Sequence, residues 1–256
     1  MNKQLILELP NHKVYYVKTN IINYYIIGGN REDFIKNILF VRVLRLANLI
    51  TCISDKTKNE VLNAINTLDK KVITIYNPID PLFKLKDKTF NEKNPTILHL
   101  GTKPNKNLEN TIKALAGMKC HLRVIGKLTN AQKESLLYSN IVYSNDWNLS
   151  DEEIIKEYEN CDIVNFPSFY EGFGMPIIEG QSVGRVVLTS NLSPMKEIAG
   201  DSAVLVDPYD INSIRSGYHE AFTNYDIYVR KGVENTKLFQ MGKIVQQYFD
   251  CYKSIL

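Results

Sequence analysis

From Pro95 onward the chain alternates short apolar runs with longer amphipathic stretches. The runs are Thr96–Leu100, His121–Ile125, Ile141–Tyr143, Asp162–Phe166, Arg185–Thr189 and Ala203–Val206. Each is too short for a buried helix, and the first two end at glycine, so all read as strands. Between them, Asn107–Met118, Thr129–Tyr138, Ser150–Asn160, Pro194–Ala199 and Ile211–Phe222 keep helical spacing. Ser150 followed by Glu153 is a capping box, and Asn107 is expected to cap its own helix. Strand–helix units repeated at this length predict a doubly wound parallel sheet with helices on both faces and right-handed connections. Ligands of such sheets lie beyond the carboxyl ends of the strands.

Before Pro95 the pattern is less regular. Leu5–Leu9 and Val14–Val17 read as extended, and Asn20–Asn30 is apolar and Tyr-rich, closing in a Gly28-Gly29-Asn30 turn. Arg31–Ala47 reads as a helix through Phe34, Ile38, Val41, Leu44 and Leu46. Leu49–Ile53 is a strand, Ser54 or Asp55 caps a helix through Ile65, and Val72–Tyr76 is another strand. The expected organisation is α/β throughout. A partial N-terminal domain covers residues 1–80, a Lys-rich linker 81–95, and a Rossmann-like domain 96–225. A helical segment, 226–256, includes the amphipathic stretch Gln240–Leu256.

Composition narrows the function. With 44% hydrophobic and 23% charged residues in 256, the chain has the make-up of an ordinary globular protein of one large or two modest domains. No apolar run reaches about 18 residues, so no transmembrane helix is expected. The N-terminus lacks the apolar core and cleavage site of a signal peptide. Cys52, Cys120, Cys161 and Cys251 are too scattered for a zinc knuckle or a disulfide framework, which suits idle thiols in a reducing cytoplasm. Residues 1–95 hold 15 Lys/Arg against 9 Asp/Glu, a net +6, and the remainder holds 16 against 19, a net −3. The basic half suits an anionic membrane surface or a phosphorylated acceptor. Nucleic acid is not expected, because no recognition-helix, zinc-finger or aromatic RNA-binding pattern accompanies the charge. No metal is expected either, since there is no Asp-x-Asp and the histidines are isolated.

The candidate chemistry is concentrated in Phe166–Glu179, Phe-Pro-Ser-Phe-Tyr-Glu-Gly-Phe-Gly-Met-Pro-Ile-Ile-Glu. It follows a strand and opens a helix, with Pro176 in the first turn, where a missing N–H costs nothing. Gly172 and Gly174 let the backbone approach a ligand. The unbonded amides at the helix start favour a phosphate. Glu171 and Glu179 flank the turn and can accept hydrogen bonds from hydroxyls. The residues alone therefore suggest a sugar joined to a diphosphate.

This string resembles the E-x7-E motif of retaining GT-B glycosyltransferases of family 4, the "glycosyl transferases group 1" set. Ile53-Ser54 and Asn77-Pro78-Ile79-Asp80 fill places near the end of that family's N-terminal domain, with Pro78 where Gly is usual. The resemblance implies a GT-B fold whose N-terminal domain is shortened. It also implies transfer of a sugar from a UDP- or GDP-sugar to a glycan or lipid-linked acceptor in bacterial surface polysaccharide synthesis, with retention. Such an enzyme would be cytoplasmic or peripheral on the inner membrane face. By the same resemblance, Glu179 binds the ribose hydroxyls and Glu171 the donor sugar. Lys106, with the amides of Phe173, Gly174 and Met175 in the glycine turn after Gly172, holds the diphosphate. Glu171 and Lys106 are the catalytic candidates.

Gly101-Thr102-Lys103-Pro104-Asn105-Lys106-Asn107 occupies the phosphate-binding turn. Thr102 stands where the family commonly has Arg, and Lys103 can substitute for it. Gly126 lets the nucleotide pass, Tyr143–Asn145 marks the start of the base pocket, and Glu197 is structural. Where the family often has a histidine facing the reacting sugar, this chain has Lys18-Thr19-Asn20, and His12 lies on the wrong side of its strand. No cofactor is implied beyond the nucleotide sugar itself. Other readings are a non-catalytic nucleotide-sugar-binding module or half of a split transferase, a sugar-nucleotide epimerase, and a nonfunctional remnant.

Overall fold

The computed structural model of the chain describes residues 8–9, 12–17, 44, 47–65 and 72–255. They fall into two compact units. The first takes Met1–Pro78, Glu171–Phe173 and Met241–Leu256, and the second Ile79–Tyr170 and Gly174–Gln240.

In the first unit, β1 (Glu8–Leu9) pairs antiparallel with β2 (His12–Val17). β2, β3 (Leu49–Cys52) and β4 (Val72–Thr74) then run parallel. Every residue of β3 is buried, as its unbroken apolar run requires. Helix α1 (Asp55–Ile65) follows β3, and Ser54 caps it by accepting from Thr57 N–H at 3.1 Å. The helix expected over Arg31–Ala47 and the Lys18-Thr19-Asn20 stretch lie outside the described residues, except that Leu44 and Ala47 are buried beside Ile50 and Val61.

The second unit is a six-stranded, fully parallel sheet. Its strands are β5 (Thr96–Leu100), β6 (His121–Ile125), β7 (Val142–Asp146), β8 (Ile163–Phe166), β9 (Val186–Ser190) and β10 (Val204–Val206). The spatial order is β10-β9-β8-β5-β6-β7. The chain steps outward from β5 to β7, crosses back to β8, and steps outward again. This is the doubly wound order, and the reversal between β5 and β8 opens a crevice beyond their carboxyl ends. Around the sheet come α2 (Leu108–Leu115), α3 (Asn130–Tyr138), α4 (Asp151–Asn160), α5 (Met175–Ser182), α6 (Met195–Ala199), α7 (Ile211–Thr223) and α8 (Tyr225–Thr236). α9 (Met241–Ile255) groups with the first unit. Ile97, Ile112, Leu122, Ile163, Leu188 and Ile214 lie in the core. α5 sits close against the sheet because residue 180 is glycine: a Cβ there would fall 2.7 Å from Val164 Cγ2.

The amino end of this sheet is tied down by buried charge. Asp162, 1% exposed, accepts from Thr96 N–H at 2.8 Å and Asn91 N–H at 3.3 Å, and pairs with Lys88 at 3.2 Å. Arg185, also 1% exposed, donates to the carbonyls of Lys86, Val183, Gly184 and Glu159. Phe83 O accepts from Ser182 Oγ at 2.8 Å, and Ile79 N–H donates to Phe239 O. These bonds hold 79–95, which carries no helix or strand, against the rest of the unit.

The capping box expected at α4 is present, with Ser150 and Glu153 capping each other, and α3 carries one that was not expected, between Thr129 and Gln132. Asn107 is a correction. It adopts a left-handed conformation, φ 63°, and its side chain makes no cap bond. The four cysteines are free, and burial pushes the thiols of Cys52 and Cys161 up to about 12. Among the described residues, no helix is long and apolar enough to cross a membrane.

Candidate functional site

The carboxyl ends of β5 and β8 carry the expected turns. β5 ends at Gly101, whose φ of +90° suits glycine and whose N–H donates to Ile125 O at 2.7 Å. The Lys106 stem lies directly over it, so a Cβ on Gly101 would meet Lys106 Cγ at 2.9 Å. Lys106 closes a short 3-10 turn, Pro104–Lys106, and its ammonium sits 4.8 Å from the centroid of the Phe166 ring. Phe166 is the last residue of β8, so this cation–π contact carries positive charge across the β5/β8 crevice.

Two asparagines bind the loops on either side of that crevice. Asn105 Nδ2 donates to Tyr170 O, and Asn105 O accepts from Phe169 N–H. Asn107 Nδ2 donates to Pro167 O at 2.9 Å and Pro208 O at 2.8 Å. The loops after β5, β8 and β10 are therefore stapled together by these bonds. Next to them, Thr102 Oγ1 donates to Lys127 O at 2.8 Å, and its methyl lies where a Cβ on Gly126 would stand, 3.0 Å away. Lys103 is exposed at the head of the turn.

After β8, Gly174 takes φ +109° and begins α5, with Met175 and Pro176 in its first turn. The amides of that turn point out of the helix N-terminus, which carries a partial positive charge. One turn on, Glu179 Oε2 accepts from Tyr158 OH at 2.5 Å. Burial raises the Glu179 pKa above the ordinary carboxylate value. The Tyr158 bond opposes that rise, Asp80 adds to it, and Lys106 opposes it. Glu179 and Lys106 are thus within electrostatic reach of each other.

Glu171, Gly172 and Phe173 group with the first unit. There, Glu171 O accepts from Lys56 Nζ at 3.4 Å and Gly172 O from Ser54 Oγ at 3.0 Å. The Phe173 ring is tilted against Tyr76, with centroids 6.0 Å apart. Lys56 is shifted down, chiefly by burial, with Glu60 opposing.

Beneath the Gly101 turn lies a network with no counterpart in the sequence expectations. His99, 1% exposed, accepts at Nδ1 from Asn165 Nδ2 at 2.8 Å. Asn165 Nδ2 also donates to Thr111 Oγ1, and Asn165 Oδ1 accepts from Tyr218 OH. Burial, helped by Lys106, brings the His99 pKa down to about 3, so the imidazole is neutral. A polar Asn inside an apolar strand run was the signal for this network. Nothing in the sequence singled out Tyr158 or Asn105. Glu197 stays peripheral, accepting from Ser193 Oγ at 3.4 Å.

A doubly wound sheet with glycine turns, a lysine and a helix N-terminus at its switch point, in a chain with a second α/β unit, has the GT-B type of fold. The family described as "Glycosyl transferases group 1" matches residues 83–237, and the chain belongs to it. It is 25% identical over 244 residues to the "Serotype-specific mannosyltransferase WbdA" of Escherichia coli, which covers 89% of this chain and 28% of that protein. It is 31% identical over 106 residues to the "O-antigen chain mannosyltransferase B" of the same species, covering 40% of this chain and 28% of the relative. The chain thus spans 28% of the length of these curated relatives. Among solved structures, sucrose-phosphate synthase from Thermosynechococcus elongatus superposes with a TM-score of 0.76 at 16% identity, over 94% of this chain and 67% of that one. Anabaena HepE in complex with UDP and glucose gives 0.76 at 16%, over 94% and 71%. These likenesses establish the fold.

Proposed function

We propose that the chain acts as a retaining glycosyltransferase of the family 4 type, taking a sugar from a nucleoside-diphosphate sugar to a glycan or lipid-linked acceptor in surface polysaccharide synthesis. The observation that carries this reading is the Lys106 ammonium and the α5 N-terminus at the reversal of strand order. In this scheme the diphosphate lies on the amides of Phe173, Gly174 and Met175 and beside Lys106. Glu179 takes the ribose hydroxyls, and Glu171 the donor-sugar hydroxyls. Thr102, Lys103, Gly126 and Gly172 complete the surround. Catalysis is positioning plus stabilisation of the leaving diphosphate as its charge develops. The acceptor attacks on the leaving-group face, which retains configuration without a covalent enzyme intermediate. No metal ion takes part. Mannose is the first donor sugar to test, because the curated relatives are named as mannosyltransferases.

The test is turnover and binding with GDP-mannose and UDP-glucose, beside Lys106→Ala and Glu179→Ala. One donor should bind, with affinity lowered about tenfold or more in each variant, as loss of a charged hydrogen bond implies. Lys106→Ala should lower turnover more than it lowers stability. If both variants bind donor like wild type, the site assignment is wrong. Donor binding without turnover on any acceptor would identify a binding module instead.

A further inference from the structure

The scheme above gives Tyr158 no role, yet its hydroxyl is the group that Glu179 meets. Tyr158 sits near the end of α4, 1% exposed, with its ring edge-on to Phe83 at 5.4 Å and 83°. A buried phenol needs a partner for its hydroxyl. Here the partner is Glu179, across 21 residues of sequence. A contact of O–H to carboxylate at 2.5 Å is charge-assisted and directional. Glu179 has three side-chain torsions and stands one turn into α5, so the bond to Oε2 removes freedom that a ligand would otherwise have to remove. The restraint extends inward. Phe83 holds the Tyr158 ring, and the Phe83 carbonyl is held by Ser182 of α5 itself. Phe83, Tyr158 and Glu179 therefore form a closed brace on α5. A phenol donates one proton and leaves Glu179 its negative charge, so the brace fixes the carboxylate without neutralising it.

We infer that Tyr158 is a positioning residue of the donor site: its hydroxyl fixes the Glu179 carboxylate to accept hydrogen bonds from the two vicinal hydroxyls of a nucleotide ribose. The inference rests on the reading of Glu179 given under the proposed function. It extends the site to a residue on α4 that never touches the nucleotide.

The test separates positioning from packing. GDP and UDP are titrated calorimetrically into the full chain, each beside its 2′,3′-dideoxy form, for wild type, Tyr158→Phe, Glu179→Gln and the double variant. Tyr158→Phe keeps the ring against Phe83 and removes only the hydroxyl. It should weaken the ribonucleotide about tenfold, the scale of a lost charged hydrogen bond, and change the dideoxy form by less than about twofold. In the Glu179→Gln background, Tyr158→Phe should add less than about twofold. Glu179→Asp, which draws the carboxylate back from the hydroxyl, should lose the preference for ribose while keeping its charge. It tests the same link should Tyr158→Phe melt early. Equal losses on both forms, or no loss on the ribonucleotide, would overturn the inference and leave Tyr158 a packing residue. A wild-type protein that binds both forms alike would overturn the ribose role of Glu179. One that binds no nucleotide would overturn the donor-site reading, and the inference with it.

Discussion

At the amino end of the six-stranded sheet, Asp162 is held by two backbone amides and Lys88, and Arg185 by four backbone carbonyls. At the carboxyl end of the same sheet, Lys106 lies on the face of an aromatic ring and Glu179 on a phenol hydroxyl. Both ends bring ionised groups toward the interior, but their partners differ in kind. Amides, carbonyls and an opposite charge satisfy a buried ion within the fold. A ring face and a phenol hydroxyl orient a charged side chain. Under the proposed function, the amino end serves stability and the carboxyl end serves binding.

The largest effect that could break this contrast is at Asp162. Asp162→Ala removes a buried acceptor from two backbone amides and Lys88, and should cost about 2–3 kcal/mol of stability in urea unfolding. Nucleotide affinity of the folded protein should hold. If the variant unfolds like wild type and binds poorly, the two ends have been assigned the wrong way round.

Next comes His99. Its folded pKa of about 3 lies below the ordinary 6.5, so its contribution to stability is complete above pH 6.5 and is lost as pH falls toward 3. The slope is about 1.4 kcal/mol per pH unit in that window, where the unfolded chain takes a proton that the folded one refuses. Urea midpoints at pH 7, 5 and 4 should fall steeply for wild type and less steeply for His99→Gln. Parallel curves would place the acid sensitivity elsewhere.

The smallest effect sharpens the comparison most. Burial raises the Glu179 pKa, so its ionised form is disfavoured in the fold. A raised carboxylate pKa gives stability that is present below the ordinary value near 4.5 and lost as pH rises through the folded value. Glu179→Gln should therefore stabilise the ligand-free protein slightly at pH 7, with the gain vanishing at pH 4, while nucleotide affinity falls about tenfold. A melting temperature that drops at pH 7 would mean that Glu179 is structural.

Much of the second unit was legible because most of its strands are buried apolar runs, and the two that glycine stops, Thr96–Leu100 and His121–Ile125, fall where the pattern put them. β7 was misplaced toward its apolar start. It is an edge strand whose later residues, Ser144 to Asp146, are polar, so hydrophobicity marks only its beginning. A cap would use the acceptor oxygen of the Asn107 side chain, whereas the structure uses its Nδ2 as a donor, and only the fold brings Pro167 O and Pro208 O within its reach. The glycine string Phe166–Glu179 was read as the candidate donor site, and its Gly174 begins α5. That Glu171–Phe173 groups with one unit and Gly174–Glu179 with the other could not be read from it. Tyr158 was silent for the same reason as Asn107, since a residue on one helix and its partner on another share no local pattern.

The most direct test maps the ligand on the sheet by amide chemical-shift perturbation as GDP or UDP is titrated into the full chain. Shifts are expected at Gly101–Asn107, Gly126 and Gly174–Glu179, at the carboxyl end. Shifts confined instead to the groove of about 550 Å³ lined by Lys88, Phe90, Tyr225 and Arg230 would put the nucleotide elsewhere and contradict the proposed donor site.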